Sequence, residues 1–150
     1  MKRQNDIIRR FRYLLVFGGV FNILLAGPLM IPGLADRYLF LLSDSNALLH
    51  LGGIPYARPV NPAHALLINT AGIDLVLIGS LVLYASGDPG RRKGIVLLNA
   101  VGRLIFAVIA LYYVLKAGLM RLVLVPAMVD VLISIGFIRF LFVLGRSARE

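Results

Sequence analysis

The sequence predicts an all-α integral membrane protein, a four-helix bundle with a short helical outer cap between its first two spanning helices. Hydrophobic residues make up 59% of the 150 residues and charged residues only 15%, and the mean hydropathy is +0.87. These proportions do not suit a water-soluble globule. The apolar residues are also collected into blocks of about 20, the length that crosses roughly 30 Å of hydrocarbon as a helix. One transmembrane domain, residues 1–150, is therefore expected.

The charge and the cysteine count narrow the classes of function. A net charge of +9 would suit a nucleic-acid partner, but the cations lie beside the apolar blocks, as orientation in a membrane requires. Membrane lipids are therefore the expected partner, and nucleic acid is not. The chain has no cysteine, which excludes a disulfide framework, a thiolate metal site and a thiol nucleophile.

Four spans are predicted, at about residues 13–32, 63–86, 94–115 and 122–145. The leader Met1–Arg12 is expected to form a short helix of its own on the cytoplasmic headgroups. A signal peptide cleaved near residues 33–35 is the alternative, which the length of the first apolar run disfavours.

In the second span, small residues recur every seven positions and allow a neighbouring helix to approach closely: Ala65, Gly72, Gly79 and Ser86.

The connection between the first two spans, residues 33–62, is too long to be a simple loop without secondary structure of its own. Residues 35–51 are predicted to form one or two short helices with apolar faces, broken near Ser43-Asp44-Ser45. Glycines and prolines between residues 52 and 62 then predict an irregular return. We expect this segment to lie on the outer surface as a cap over the bundle.

The distribution of cations predicts that both termini lie in the cytoplasm. With the N-terminus inside, ten lysines and arginines face the cytoplasm: Lys2, Arg3, Arg9, Arg10, Arg12, Arg91, Arg92, Lys93, Arg146 and Arg149. Four face outward: Arg37, Arg58, Lys116 and Arg121. An excess of Lys and Arg in short cytoplasmic segments sets this orientation.

Several polar residues fall near the middle of the spans. At about 1.5 Å per residue, Asp74, Arg103 and Asp130 all lie within a few ångströms of the midplane, and Asn22 reaches a similar depth. Because a lone charge at that depth is costly, these groups are expected to face one another inside the bundle. The specific prediction is that Arg103 bridges Asp74 and Asp130, and that Asn22 and Asn99 complete the hydrogen bonds.

Two interpretations of this network remain open. In the first it is structural, an ion-pair network that sets the register of the helices. In the second, two carboxylates share one guanidinium, and one of them exchanges protons with a ligand or a redox partner.

Signals for metal or catalytic chemistry are weak. His50 and His64 are the two histidines, both in or beside the outer cap, and their spacing does not mark a metal site. They are candidates for an outer ligand entrance. The sequence contains no Walker loop, dinucleotide fingerprint, nucleophile elbow or His-Glu-x-x-His motif, so no catalytic residue is assigned.

The order of elements resembles a known family. The matching stretch runs from Ser86 to Arg103 (SGDPGRRKGIVLLNAVGR), together with Val129-Asp130-Val131, and the likeness covers roughly residues 10–145. It is similar to the small bacterial four-helix membrane proteins grouped as DoxX-like. That resemblance implies a four-helix bundle whose interior can hold a lipophilic molecule. It also implies, in a few members, association with quinone-linked respiratory or thiosulfate-oxidising complexes.

The expected function is therefore non-catalytic. The chain is predicted to be an accessory or anchor subunit of a larger membrane complex, or a binder of a lipid or quinone beneath the outer cap, in the bacterial cytoplasmic (inner) membrane. Other membrane subunits or further copies of the chain are the expected partners. The alternatives are a proton-coupled carrier of a small solute that uses Asp74, Arg103 and Asp130, and a lipid- or quinone-modifying enzyme with Asp74 and Asp130 as acid and base.

Overall fold

The computed structural model of the chain describes residues 2–146, and for residues 2–5 and 146 it describes the backbone only. It contains five α-helices, α1 (Lys2–Ala26), α2 (Leu34–Leu48), α3 (Pro62–Gly87), α4 (Lys93–Lys116) and α5 (Leu124–Arg146), and two short 3-10 helices, Gly27–Met30 and Arg121–Val123. Four of the cations counted as cytoplasmic lie outside the described side chains: Lys2, Arg3, Arg146 and Arg149.

Four helical segments of the described chain are long and apolar enough to cross a membrane: Asp6–Met30, Pro62–Gly87, Lys93–Lys116 and Arg121–Gly145. The predicted class, an all-α membrane bundle of four spans, is confirmed. The remaining helix, α2, lies between the first and second spans, where the helical cap was expected.

The N-terminal leader is not a separate helix, because α1 continues without a break from Lys2 to Ala26. The first proline of the chain is Pro28, so no residue interrupts the helix before the 3-10 turn. Phe11 is fully buried and lies between the rings of Phe137 and Phe140, with ring centroids at 6.1 and 5.0 Å. The end of the predicted interfacial leader is therefore part of the core.

The four spans form a ring in the order α1, α3, α4, α5. The contacts of α1 with α3 and of α4 with α5 are extensive, whereas α1 with α5 and α3 with α4 meet over a smaller area. The main apolar core lies toward the end that carries the basic α3–α4 turn: Phe11, Leu15, Val82, Ala85, Val96, Ala100, Ile133, Phe137 and Leu144. The core is thus concentrated in one half of the bundle, and the α1–α5 and α3–α4 sides are both less extensively joined than the other two.

Glycines allow the backbones of α1 and α3 to touch. A Cβ atom added to Gly79 would lie 2.9 Å from the carbonyl oxygen of Gly19, and one added to Gly19 would lie 2.8 Å from the carbonyl oxygen of Gly79. A Cβ atom on Gly72 would lie 2.5 Å from the backbone nitrogen of Met30. Gly72 and Gly79 of the predicted small-residue seam therefore make the close approach, whereas Ala65 is exposed.

The cap helix α2 is continuous through Ser43-Asp44-Ser45, where a break was predicted. Serine disfavours a helix when its hydroxyl competes for the backbone, but here each hydroxyl has a compatible partner. The Ser43 hydroxyl accepts a hydrogen bond from the backbone N–H of Tyr56 at 3.0 Å, and the Ser45 hydroxyl donates to the carbonyl of Leu41 at 2.8 Å. The returning segment of the cap thus supplies the tertiary contact that keeps the helix intact.

The cap is fastened to the α4–α5 turn by backbone and amide hydrogen bonds. The buried Asn46 side chain donates to the carbonyl of Gly52 at 3.0 Å and accepts from the backbone N–H of Leu122 at 2.9 Å. The backbone N–H of Ile54 donates to the carbonyl of Gly118 at 2.7 Å. Gly53 has φ 98°, and a Cβ atom there would lie 2.7 Å from the Leu119 carbonyl oxygen, so this approach requires glycine.

A second polar link lies within the cap. The Tyr56 hydroxyl donates to the Asp36 carboxylate at 2.7 Å, and Arg58 forms an ion pair with the same carboxylate at 3.0 Å. Burial and the hydrogen bond to Asp36 raise the pKa of the Tyr56 phenol to about 12.

We expect Gly79→Val to lower the free energy of unfolding by about 1–3 kcal/mol, because the added side chain meets the α1 backbone rather than a flexible side chain. The matched control is Gly94→Val, since a Cβ atom on Gly94 meets no atom within 4 Å. Equilibrium unfolding of both variants in mixed detergent micelles measures the difference. Equal stability of the two variants would contradict the close approach of α1 and α3.

The Tyr56 link predicts a loss of cap stability in strong alkali. Because the folded pKa is about 12 and the ordinary value is 10.0, the contribution is complete below pH 10 and disappears as the pH rises through 12. In an ultraviolet phenolate titration, Tyr56→Phe should remove one phenol that ionises near pH 12. If the difference between the two titrations is centred near pH 10 instead, the Tyr56–Asp36 hydrogen bond is absent in solution.

Candidate functional site

The centre of the site is the guanidinium of Arg103, which is only 4% exposed. Its Nη1 donates to a carboxylate oxygen of Asp130 on α5, and its Nε donates to the side-chain oxygen of Asn99, one turn back on α4, at 2.8 Å. Its Nη2 donates to the backbone carbonyl of Gly18 on α1 at 2.7 Å. A single side chain therefore joins three of the four spans.

Asp130 and Arg103 are both buried and form a neutral pair, which is the arrangement that lets two charges remain inside a bundle. One turn further along α5, the buried Ser134 hydroxyl bonds to the carbonyl of Ala100 on α4 at 3.0 Å and to the carbonyl of Asp130 at 2.8 Å. These contacts hold α4 and α5 at a defined register around the ion pair.

Asp74 does not join this cluster, and the predicted bridge from Arg103 to two aspartates is wrong in this respect. Its side chain is exposed on α3, and within the described chain Arg103 forms its one ion pair with Asp130. The third acceptor of Arg103 is the Gly18 carbonyl. A backbone acceptor has no side-chain signature in the sequence, so counting polar residues favoured a second carboxylate instead.

Asn22 lies on α1 at the level of the cluster and is only 7% exposed. Its amide makes no hydrogen bond to another residue of the described chain. It is one of the residues that line an internal cavity, so its amide opens onto that cavity. The prediction that Asn22 completes the hydrogen bonds around Arg103 is therefore wrong, and its amide is free to bond to a molecule in the cavity.

The cavity has a volume of about 300 Å³ and lies between α1, α3 and α4, with Asp130 of α5 at its base. Its polar lining is small and grouped: Asn22, Asn99, Arg103 and Asp130. The rest of the lining is apolar: Leu25, Ala26, Leu75, Ile78, Leu81, Ile95, Leu98, Gly102 and Phe106. The apolar walls belong largely to the α3–α4 pair, one of the two less extensively joined sides of the ring.

The walls on the α3–α4 side are also exposed on the outside of the bundle. Leu98 on α4 is 75% exposed, Leu81 on α3 is 50% exposed, and Phe106 is 40% exposed. Gly102 lies between them, and a Cβ atom there would meet nothing within 4 Å. The cavity is therefore accessible sideways, from the position that lipid tails occupy around a membrane bundle.

His50 and His64 lie on the cap side but do not line this cavity. Both are exposed, and His50 follows the end of α2 with a positive φ of 51°. The described residues contain no group of three or more potential metal ligands. The two histidines thus stay candidates for an outer entrance without a place in the cavity itself.

The structure does not assemble the acid–base pair on which an enzymatic interpretation depended. Asp130 is held in the ion pair with Arg103, whereas Asp74 is exposed on the neighbouring helix α3. What the site offers is a set of amide groups and a neutral ion pair at the base of an apolar cavity, which is suited to binding.

These features define a class of protein, a multi-pass helical membrane protein with a cavity among its spans. The cavity has a small group of polar residues and apolar walls, and it opens toward the side of the bundle. A comparison of the chain with protein-family models, with curated proteins and with solved structures finds no match.

We expect single substitutions that break the Arg103–Asp130 pair to be much worse than removal of both charges. Arg103→Met or Asp130→Leu alone should cost about 3–5 kcal/mol, since each leaves an uncompensated buried charge, and the double variant should cost less than either. Unfolding in mixed micelles measures this coupling.

The control for that experiment is Arg139→Met, which removes an exposed arginine from the same helix as Asp130 and should change stability by no more than about 0.5 kcal/mol. Additive effects of Arg103→Met and Asp130→Leu would show that the two side chains are not in contact.

Proposed function

We propose that this chain is a non-catalytic membrane protein that binds a lipophilic molecule carrying a hydrogen-bonding group, such as a lipid or a quinone, in the cavity between α3 and α4. The observation that carries the proposal is the mostly apolar cavity of about 300 Å³ whose few polar lining residues lie together, among them Asn22, whose amide makes no hydrogen bond to another described residue. That volume lies at the lower end of ordinary small-molecule sites, which are mostly apolar with a few polar groups.

The chemistry of the lining favours a mainly apolar ligand with one polar end. The amides of Asn22 and Asn99 can donate to a carbonyl or accept from a hydroxyl, and the Arg103–Asp130 pair adds polarity without net charge. The exposed walls on the α3–α4 side suit entry from the bilayer, since a lipophilic molecule is concentrated there rather than in water.

The proposed setting is the bacterial cytoplasmic membrane, with both termini inside and the chain acting as an accessory subunit of a larger complex or as an oligomer. The grouping of cations supports this orientation. Arg12 on α1 donates to the carbonyl of Gly87 at the end of α3 at 2.8 Å, and Arg92 lies over the Tyr84 ring at 3.6 Å. The N-terminal arginines and the α3–α4 turn are thus at one end of the bundle, as a single cytoplasmic face requires.

The experiment is native mass spectrometry and organic extraction of the full chain purified in mild detergent. Gly102→Leu should abolish the retained ligand, because the added side chain enters open space inside the cavity. Asn22→Leu should weaken retention by about tenfold, since it removes one hydrogen bond and leaves the apolar walls in place.

The matched control is Gly27→Leu in the 3-10 helix after α1, which also adds a side chain where no atom lies within 4 Å and which is outside the cavity lining. Thermal unfolding checks that all three variants stay folded. Retention of the same ligand by folded Gly102→Leu would contradict the proposal. The added leucine fills the cavity, so a ligand that is still retained must bind elsewhere.

A further inference from the structure

Asp74 is an ionisable residue without an ion-pair partner among the described residues, in the middle of a span. It lies twelve residues after Pro62 and thirteen before Gly87, the first and last residues of α3. Its side chain is exposed and makes no ion pair or hydrogen bond to another residue of the described chain. A carboxyl group at this depth is among the least favourable groups in a bilayer, and no residue of the described chain provides a partner for it.

The register of α3 places Asp74 on the side of the cavity. At about 100° per residue, Ile78 lies about 40° from Asp74 around the helix axis and Leu81 about 20° from it, and both of those residues line the cavity. Gly79, which packs on α1, and Gly72, which packs on the 3-10 helix that follows α1, lie on the opposite side. Asp74 therefore faces the α3–α4 cleft rather than an unrelated part of the lipid surface.

The height of Asp74 along the bundle agrees with this position. α3 and α4 run antiparallel through the short turn between Gly87 and Lys93. Asp74 is thirteen residues before that turn and Phe106 is thirteen residues after it, so the two lie at about the same level. Phe106 lines the cavity and is partly exposed, which puts Asp74 at the rim of the same opening.

The charges around the opening do not cancel. Arg103 and Asp130 are the ionisable residues among those that line the cavity, and they neutralise each other. Asp74 at the rim adds a carboxyl group that, in its ionised form, gives the opening a net negative charge. In surroundings that exclude water, a ligand with a cationic centre is attracted to such a site, and an aromatic ring beside it adds to that attraction.

From this juxtaposition we propose that the cavity selects lipophilic organic cations, with the cationic centre beside Asp74 and Phe106 and the apolar body between α3 and α4. The inference rests on the proposed function, because it names the chemical class of ligand for the same cavity. The carboxylate takes part in binding only, and no bond is made or broken.

The test is equilibrium binding to the full chain in phosphatidylcholine nanodiscs, with empty nanodiscs subtracted. The probes are tetraphenylphosphonium and tetraphenylborate, which have nearly the same size and shape and opposite charge, and the neutral triphenylphosphine oxide. The protein should bind tetraphenylphosphonium at least about tenfold more tightly than tetraphenylborate, a difference that one close ion pair readily supplies.

Variants at Asp74 separate charge from shape. Asp74→Asn should lose about tenfold in affinity for tetraphenylphosphonium and keep its affinity for triphenylphosphine oxide, whereas Asp74→Glu should keep the preference for the cation. The control Asp44→Asn makes the same change in net charge on the exposed surface of the cap and should bind every probe as the unmodified chain does.

Three results would overturn the inference. The first is equal affinity for the two opposite ions, and the second is an unchanged affinity for tetraphenylphosphonium in Asp74→Asn. The third is a stable dimer that excludes tetraphenylphosphonium and dissociates in Asp74→Asn, which would assign the carboxylate to a contact between copies of the chain.

Failure of this inference can be told apart from failure of the proposed function. If Gly102→Leu abolishes binding of triphenylphosphine oxide while Asp74→Asn changes nothing, the cavity binds ligands and the preference for cations is absent. If Gly102→Leu leaves the binding of all three probes unchanged, the cavity is not the binding site and both ideas fail.

Discussion

The guanidinium of Arg103 is the group on which the arrangement of the spans depends. A planar cation with several donors can bond to three partners at once, and here the partners belong to α1, α4 and α5. Each partner is buried with it, so none can exchange its bond for one to water. Since α1 packs on α3 through glycines, this one side chain also determines where the α1–α3 pair stands relative to the α4–α5 pair.

In that arrangement, neighbouring helices of the ring do not contact one another to the same extent. Close backbone contact joins α1 to α3, and the hydroxyl and ion-pair contacts join α4 to α5. The α1–α5 and α3–α4 contacts are both smaller, but Arg103 reaches across to α1, whereas most of the residues that line the cavity belong to α3 and α4. Space therefore remains on the α3–α4 side, and the base of that space is the polar cluster that joins the other helices. The structural and the ligand-binding roles of the cluster are thus compatible: the same amides that surround Arg103 also line the cavity.

The polar cluster shows which contacts can be predicted from the pattern of residues in the sequence and which cannot. Depth along the spans placed Arg103 and Asp130 at one level, and Asn99 was predicted to complete their hydrogen bonds; Arg103 contacts both residues. The same depth argument placed Asp74 with them, although depth says nothing about direction around the helix axis. The small-residue seam of α3 did indicate the direction: Gly72 and Gly79 pack against the first span and its 3-10 extension, and Asp74 lies about 140–160° from them around the helix axis. The cost of burying a charge was weighed above that signal, and the bridge to Asp74 was predicted in error.

The amino-acid sequence by itself determined the number of spans, their approximate ends, the helical cap and the presence of buried polar groups, because each depends on local hydrophobicity and length alone. The tertiary structure decided three further features. It made α1 and α2 continuous helices. It placed the Gly18 carbonyl, and not Asp74, next to Arg103, and it left the cavity that opens between α3 and α4. Each of these depends on which helix faces meet. That is settled by packing between residues far apart in the chain, where backbone groups count as much as side chains.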